Sequence, residues 1–218
     1  MSVSTHRQNL AGIALAICAV ACFATLDTTT KWVTAGVPVL MALWFRYVFQ
    51  AVITTVTVWP SRGRTLLMTA HPRFHVIRGL LLLSSSLFAF LSLKHLPVGE
   101  FTAIVMITPL VVTLLSSRML GERVSWKRWM LVVGGFTGTM VIVRPGGEGF
   151  SWALLLPLAL VAANTSFQLL TSRMTRTEDP MTLQFYTGWV GAVVTTLPLP
   201  WVWVHVTAPQ LWLGLVVM

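Results

Sequence analysis

Four ionisable residues interrupt otherwise apolar stretches of this chain. Asp27 lies in the first apolar run, Arg46 lies inside the second, and Glu100 opens the fourth. Lys31 follows Asp27 by four residues, which places both side chains on one face of a helix. Charged groups in apolar segments are costly unless they face a cavity or a partner. A carboxylate and a guanidinium there can bind a polar ligand, exchange a proton, or form a structural ion pair.

Asp27 and Arg46 are predicted to lie at the same depth. Asp27 comes about seven residues before a tight connection and Arg46 about eight after Pro38, so both sit roughly 10–12 Å from the turn. We expect them to pair or to face one cavity together; a purely structural ion pair is the alternative. Lys31 is expected either to line the outer vestibule or to extend its amine to the membrane interface.

Further polar and aromatic residues are candidates for the same cavity. Glu100 is predicted to bind a cation or a proton, or else to stabilise the start of its helix through the dipole. Asn164 and Gln168 add polarity to an apolar run, where hydrogen bonds between helices are the alternative. Four aromatic residues are predicted to form walls for a flat ligand, with packing or interface anchoring as the alternative. They are Trp44, Tyr47, Tyr186 and Trp189.

The sequence indicates neither a catalytic nor a metal site. His71 and His75 are four residues apart, but Pro72 lies between them and no carboxylate cluster accompanies them. Cys18 and Cys22 both fall in the first apolar run, where small packing residues are the expected role. We find no nucleotide-binding loop and no nucleophile–base arrangement. We therefore predict that the chain is not an enzyme and that it binds no cofactor.

Apolar helices must position these groups. The chain is 56% hydrophobic and 10% charged, with a mean hydropathy of +0.79, whereas soluble domains carry about 25% charged residues. The net charge of +9 does not indicate a nucleic-acid partner, because the charges fall in short loops between apolar runs. We predict an all-α polytopic membrane protein whose surroundings are the lipid bilayer.

Seven full membrane spans and the start of an eighth are predicted. A helical crossing needs about 20 mainly apolar residues. The runs are 10–32, 38–59, 74–93, 101–117, 129–143, 152–170 and 181–203, and an eighth begins at 211. Gly134 and Gly138 form a G-x-x-x-G pair, which predicts a close helix contact. Since the eighth run is too short to cross, we expect the chain to be cut off.

The Lys and Arg residues predict the orientation of the chain. With the N-terminus inside, eleven of them fall on the inner side and three on the outer side. The inner set is Arg7, Arg62, Arg64, Arg73, Arg78, Arg118, Arg123, Lys127, Arg128, Arg173 and Arg176; the outer set is Lys31, Lys94 and Arg144. Because cytoplasmic loops carry the positive excess, the N-terminus is predicted to be cytoplasmic.

A faint internal repeat relates the two parts of the chain. Lys31 precedes Pro38 by seven residues, and Arg173 precedes Pro180 by seven. Five spans separate the equivalent positions, and an odd number of spans inverts the second copy. Inverted repeats with a ligand site between them are a construction principle of secondary transporters.

Residues 109–146, PLVVTLLSSRMLGERVSWKRWMLVVGGFTGTMVIVRPG, together with Arg46 and the later span near Pro180, resemble the EamA type of the drug/metabolite transporter superfamily. The resemblance implies two inverted five-helix repeats, here 1–146 and an incomplete 147–218, in a bacterial inner membrane. The pair Asp27-x-x-x-Lys31 is similar to members that take up S-adenosylmethionine or riboflavin.

A secondary transporter of a small organic metabolite, working by alternating access, is the function this resemblance implies. The expected substrates are S-adenosylmethionine, riboflavin or amino-acid-like compounds. The alternative is a truncated or half-transporter that needs a partner, either a homodimer or a second half-chain, and does not transport alone. An intramembrane enzyme acting on lipid is a third class, for which no catalytic constellation is found.

Overall fold

The described part of the chain is helical. The computed structural model describes residues 2–119, 125–143, 152–205 and 209–217, and no strand occurs among them. The predicted turns at 120–123 and 144–149 lie outside the described residues. The α-helices are α1 (Ser2–Gly36), α2 (Val39–Arg62), α3 (Pro72–His95), α4 (Val98–Val105), α5 (Thr108–Met119), α6 (Trp126–Val143), α7 (Leu155–Met174), α8 (Pro180–Thr196), α9 (Leu199–Val202) and α10 (Pro209–Val217).

Proline residues mark where several of these helices begin. Pro72 and Pro180 are the first residues of α3 and α8, a position at which the missing N–H costs nothing. The Asp179 carboxylate accepts a hydrogen bond of 2.8 Å from the Met181 N–H and so caps α8. Pro38 is the N-cap residue of α2 and directly precedes Val39.

The fourth predicted span is two helices rather than one. A turn at Met106 and Ile107 separates α4 from α5, close to the middle of the span. Pro109 lacks an N–H, and its ring disfavours a helical carbonyl four residues earlier. The break therefore falls where the sequence prevents regular α-helical hydrogen bonding.

Four segments of the described chain are long and apolar enough to cross a membrane. They are Val39–Leu67, Pro72–His95, Val98–Leu115 and Trp152–Met174. They coincide with the second, third, fourth and sixth predicted runs. The fold class, an all-helical chain with membrane-length apolar helices, is confirmed, whereas the count of seven to eight spans stays a prediction.

The main packing joins the first part of the chain to the second. Helix α2 packs on α8, and α3 packs on both α7 and α8. Glycines on α8 allow close approach: a Cβ at Gly191 would lie 2.1 Å from Cδ1 of Tyr47, and one at Gly188 would lie 3.0 Å from the Ala51 backbone. The fold thus depends on small residues on α8 facing α2.

The predicted G-x-x-x-G contact on α6 is not formed in the described part of the chain. A Cβ at Gly134 or at Gly138 would meet no atom within 4 Å. Gly134 and Gly138 do place two small residues on one face of α6, but no other helix packs closely against them in the described part of the chain. The close helix contact lies on α8 instead, at Gly188 and Gly191.

Candidate functional site

Asp27 and Arg46 lie on α1 and α2, which pack on each other and on α3; we call this pair and its neighbours the Asp27–Arg46 strip. Asp27 on α1 is half-buried, and the charge of Arg46 on α2 acts on it electrostatically. The two side chains do not form a salt bridge in the described structure. Two opposite charges that interact electrostatically without a salt bridge remain able to bind a polar ligand. Their joint orientation toward a cavity stays a prediction.

Tyr47 and Arg46 connect this strip to α3. The Tyr47 hydroxyl, on a side chain that is 1% exposed, lies 2.9 Å from Ser86 Oγ. The Arg46 guanidinium carbon lies 5.9 Å from the centre of the Phe90 ring, within the range of a cation–π contact. Buried polar groups at this depth are therefore held by specific neighbours rather than by lipid.

Lys31 has a structural role that the sequence did not indicate. Its Nζ donates hydrogen bonds to the carbonyl oxygens of Leu93 and Leu96, at 3.1 and 2.6 Å. These carbonyls lie at the C-terminal end of α3, where a positive charge is favourable. Lys31 therefore ties α1 to the end of α3 and is half-buried there.

The candidate aromatic residues occupy separate positions along the interface of α2 and α8. Trp44 donates to Thr196 Oγ1 at 2.9 Å, and Trp189 donates to Thr55 Oγ1 at 3.1 Å. The Tyr186 hydroxyl donates to the Leu67 carbonyl at 3.0 Å, and Tyr47 is buried as described above. No ring contact joins the aromatics of α2 to those of α8 among the pairs described.

The remaining candidates are not brought to the Asp27–Arg46 strip by any contact that the structure shows. Asn164 and Gln168 bond each other on α7, with Gln168 Nε2 donating to Asn164 Oδ1 at 3.0 Å. Glu100 is half-buried in the first turn of α4. That position suits the dipole role proposed as its alternative.

A second polar cluster, centred on Arg78, lies at the other end of α3. Arg78 is 5% exposed. Its Nε donates to Thr171 Oγ1 at 2.7 Å, and its Nη1 donates to the Leu183 carbonyl at 2.9 Å and to Thr187 Oγ1. The guanidinium carbon also lies 4.6 Å from the centre of the Phe167 ring. One side chain of α3 thus binds both α7 and α8.

His75 and Glu178 extend this cluster toward the loop before α8. The side chains are fully or almost fully buried, and His75 Nε2 lies 3.5 Å from Glu178 Oε2. Glu178 Oε1 accepts hydrogen bonds from Thr69 Oγ1 at 2.8 Å and from the Ala70 N–H at 3.0 Å. Burial raises the pKa of Glu178, but these bonds and His75 outweigh it, so the pKa is lower than usual.

Arg62 and Asp179 form the exposed edge of the same cluster. Arg62 Nη1 lies 2.5 Å from Asp179 Oδ2. The hydrogen bond from Arg62, together with that from the Met181 N–H, lowers the pKa of Asp179. Because both side chains are well exposed, this ion pair contributes little to stability by itself.

Sequence reasoning missed this second cluster as a site. Arg78 falls inside the predicted third span, and a charge at that depth indicates a specific partner or role, yet it was counted only as an inner-side charge. The partners could not be found by spacing, since Thr171, Leu183 and Thr187 are about 100 residues away. His71 and His75 belong to no group of three metal-binding side chains among the described residues.

The family model described as "EamA-like transporter family" matches residues 10–144 of the chain. This range includes Asp27, Arg46 and Arg78, and it extends from α1 to the end of α6. The match therefore covers well over half of the chain.

Two groups of curated relatives are similar to the chain. A riboflavin transporter of Rhizobium johnstonii is 28% identical over 199 residues, covering 90% of this chain and 64% of the relative. A riboflavin transporter of Brucella anthropi is 26% identical, covering 78% and 60%. An S-adenosylmethionine uptake transporter of Rickettsia felis is 26% identical, covering 95% and 67%. The chain thus spans about two thirds or less of the length of these relatives.

A solved crystal structure shares the fold of this chain. The TM-score is 0.65 at 21% sequence identity, and the superposition covers 90% of this chain and 72% of the other.

Proposed function

The chain belongs to the EamA-like transporter family, and on this premise we propose that it is a secondary transporter of a small organic metabolite. It is a membrane transport protein and not an enzyme. Alternating access between two inverted repeats, 1–146 and 147–218, is the proposed mechanism. The N-terminus is proposed to be cytoplasmic, in the inner membrane of a bacterium, as the Lys and Arg distribution favours.

One observation supports the proposed location of the substrate site: Asp27 and Arg46 lie on neighbouring helices and interact electrostatically, but they form no salt bridge in the described part of the chain. Charges within an apolar membrane segment need a partner, and here a neighbouring charge is present but no salt bridge is formed. A polar ligand that bridges the two would satisfy both. Tyr47, Ser86 and Phe90 provide the adjoining polar and aromatic surface.

Riboflavin and S-adenosylmethionine are the substrates proposed for testing first. Similar proteins are named as transporters of these two compounds. Both ligands combine a flat ring system with polar groups, which suits a strip that offers a carboxylate, a guanidinium and an aromatic ring. Amino-acid-like compounds form the third class to be tested.

Uptake of labelled substrate into proteoliposomes tests the proposal. We expect saturable uptake by the wild-type chain and a loss of about tenfold or more on Asp27→Asn, since removing one charge from a buried ligand contact costs at least 1.4 kcal/mol. The matched control is Phe23→Leu, one helical turn earlier on α1 at a side chain that is 66% exposed. Unchanged uptake by Asp27→Asn at equal protein yield would contradict the proposed site.

The alternative, that this chain transports only together with a partner chain, predicts a different result in the same uptake assay. The purified chain would be inactive for every ligand, while co-reconstitution with a second chain would restore uptake. Chemical cross-linking in the membrane before purification identifies such a partner, whether it is a second copy or another protein.

A further inference from the structure

Most polar contacts between the two proposed repeats lie at one end of the molecule, whereas the hydrogen bonds from Trp44 to Thr196 and from Trp189 to Thr55 lie elsewhere along α2 and α8. At the end with most contacts, residues 62–78 meet residues 171–187 through hydrogen bonds, the exposed Arg62–Asp179 ion pair and the 3.5 Å approach of His75 Nε2 to Glu178 Oε2. We call these two segments and their contacts the inner clasp, because the Lys and Arg distribution predicts this side to be cytoplasmic. Toward the opposite end, about 22 Å along α3, Lys31 binds α3 within the first repeat.

Arg78 is the central residue of the inner clasp. Its planar fork of donors reaches Thr171 on α7 and both Leu183 and Thr187 on α8. A lysine, with a single nitrogen, cannot reproduce this geometry. The Arg62–Asp179 pair is exposed and lies at the edge of the clasp. Arg78 is buried, and its hydrogen bonds join α3 to both α7 and α8.

The chemistry of these contacts suits a closure that opens again. In the described part of the chain, no carboxylate forms a salt bridge with Arg78. All three acceptors are neutral oxygens, which water can replace when the end opens. A buried salt bridge would instead leave two separated charges on opening. A cation bound only to neutral acceptors therefore gives specific closure without a large barrier to release.

We propose that Arg78 is the positioning residue that keeps the inner end of the transporter closed, and that substrate passage requires its bonds to α7 and α8 to break and re-form. This inference rests on the proposed alternating-access function. It adds a named gate residue, distant from the Asp27–Arg46 strip, which acts through the position of α7 and α8 and does not touch substrate.

Accessibility of a buried cysteine tests the gate directly. Thr182 on α8 is 3% exposed and lies within the inner clasp. In a Cys18→Ala, Cys22→Ala background, Thr182→Cys reports opening by its rate of labelling with a membrane-impermeant maleimide in inside-out vesicles. We expect Arg78→Gln to raise this rate by about tenfold or more, because several net hydrogen bonds are lost. Arg78→Lys is expected to give an intermediate rate.

Arg73→Gln is the matched control, since Arg73 is an exposed arginine five residues earlier on α3. It is expected to leave labelling and uptake at wild-type values. Labelling of Thr182→Cys at the wild-type rate in a folded Arg78→Gln protein would overturn the proposal, as would an increase seen only in right-side-out vesicles. This assay needs no substrate, so its failure is distinguishable from a failure of the proposed transport function.

A cross-link tests the gate without altering Arg78. Thr69 Oγ1 and Glu178 Oε1 lie 2.8 Å apart across the clasp. In the same cysteine-free background, Thr69→Cys with Glu178→Cys, joined by a short bifunctional methanethiosulfonate, is expected to stop uptake until a reductant is added. Undiminished uptake by the cross-linked protein would overturn the proposal, even if Arg78 variants fail to fold.

Discussion

At the scale of single residues, the same side-chain type has different roles in different surroundings. Arg46 acts electrostatically on Asp27 without forming a salt bridge with it, whereas Arg78 donates hydrogen bonds to three neutral oxygens. Arg62 binds an exposed carboxylate at the surface. The position of each guanidinium relative to the helices, and not its charge, determines whether it can bind ligand, close an end or only add an ion pair.

Glu178 gives a residue-scale prediction for acid stability. Its pKa is lower in the folded protein than its ordinary value of 4.5. A carboxylate of this kind adds stability that is fully present above the ordinary value and is lost as the pH falls through the folded-state pKa. We therefore expect the melting temperature to fall on acidification from about pH 5 to pH 3, and to fall less in Glu178→Gln.

Melting curves in detergent at several pH values measure this difference. The matched control is Glu100→Gln, which removes a carboxylate from the start of α4, away from the inner clasp. If the melting temperatures of wild type and Glu178→Gln decline in parallel as the pH falls, the prediction is contradicted. The hydrogen bonds from Thr69 and Ala70 would then not stabilise the ionised carboxylate of Glu178.

At the scale of helices, the glycines separate packed faces from open ones. Gly191 on α8 lies against the Tyr47 ring, and Gly134 on α6 meets nothing within 4 Å. Sequence spacing favoured the α6 pair, because G-x-x-x-G is visible without a structure. The close packing contact on α8 uses Gly188 and Gly191, three residues apart, and depends on which face of α8 turns toward α2.

Alanine substitutions at these glycines are the helix-scale prediction. Gly191→Ala would place a methyl group against Tyr47, so we expect a loss of about 1–3 kcal/mol from overpacking. Gly134→Ala is the matched control and is expected to be neutral or stabilising by up to about 1 kcal/mol, through helix propensity. Unfolding in detergent–denaturant mixtures measures both changes. Equal stability of the two variants would contradict the packing described for α2 and α8.

At the scale of the whole molecule, the two ends of the helix bundle differ in chemistry. The inner clasp joins residues about 100 positions apart through buried polar groups. The opposite end carries the Lys31 tether within the first part of the chain and the more exposed hydrogen bond from Trp44 to Thr196. This difference between the ends fits a transporter that is closed at its inner end. In the proposed mechanism this state alternates with one that is open at the inner end.

Sidedness is the prediction that belongs to this scale. Met68 lies in the connection between α2 and α3 and is 73% exposed, and Lys94 is exposed near the end of α3. If α3 crosses the membrane, cysteines introduced at 68 and 94 will react with an impermeant maleimide from opposite sides, position 68 from the cytoplasm. Reaction of both from one side would remove the proposed topology and the transport mechanism with it.

Composition and hydropathy were sufficient to predict the class of this protein and the approximate positions of its helices. Long apolar runs have no stable alternative in a bilayer to regular hydrogen-bonded helices, so hydropathy alone predicts them. It also singled out Asp27 and Arg46, because a charge in an apolar run is visible locally. The predicted runs at 74–93 and 181–203 begin within two residues of the observed starts of α3 and α8, at Pro72 and Pro180.

The tertiary structure alone decided which helices meet and which polar groups bind each other. The acceptors of Arg78, the carboxylate beside His75 and the carbonyls held by Lys31 are distant in sequence. A small rotation of a helix about its axis changes which residues face its neighbours. Because the apolar faces of membrane helices are alike in composition, the sequence does not show which face is packed. Only the packed arrangement fixes that rotation, and with it the two polar clusters from which the proposals here follow.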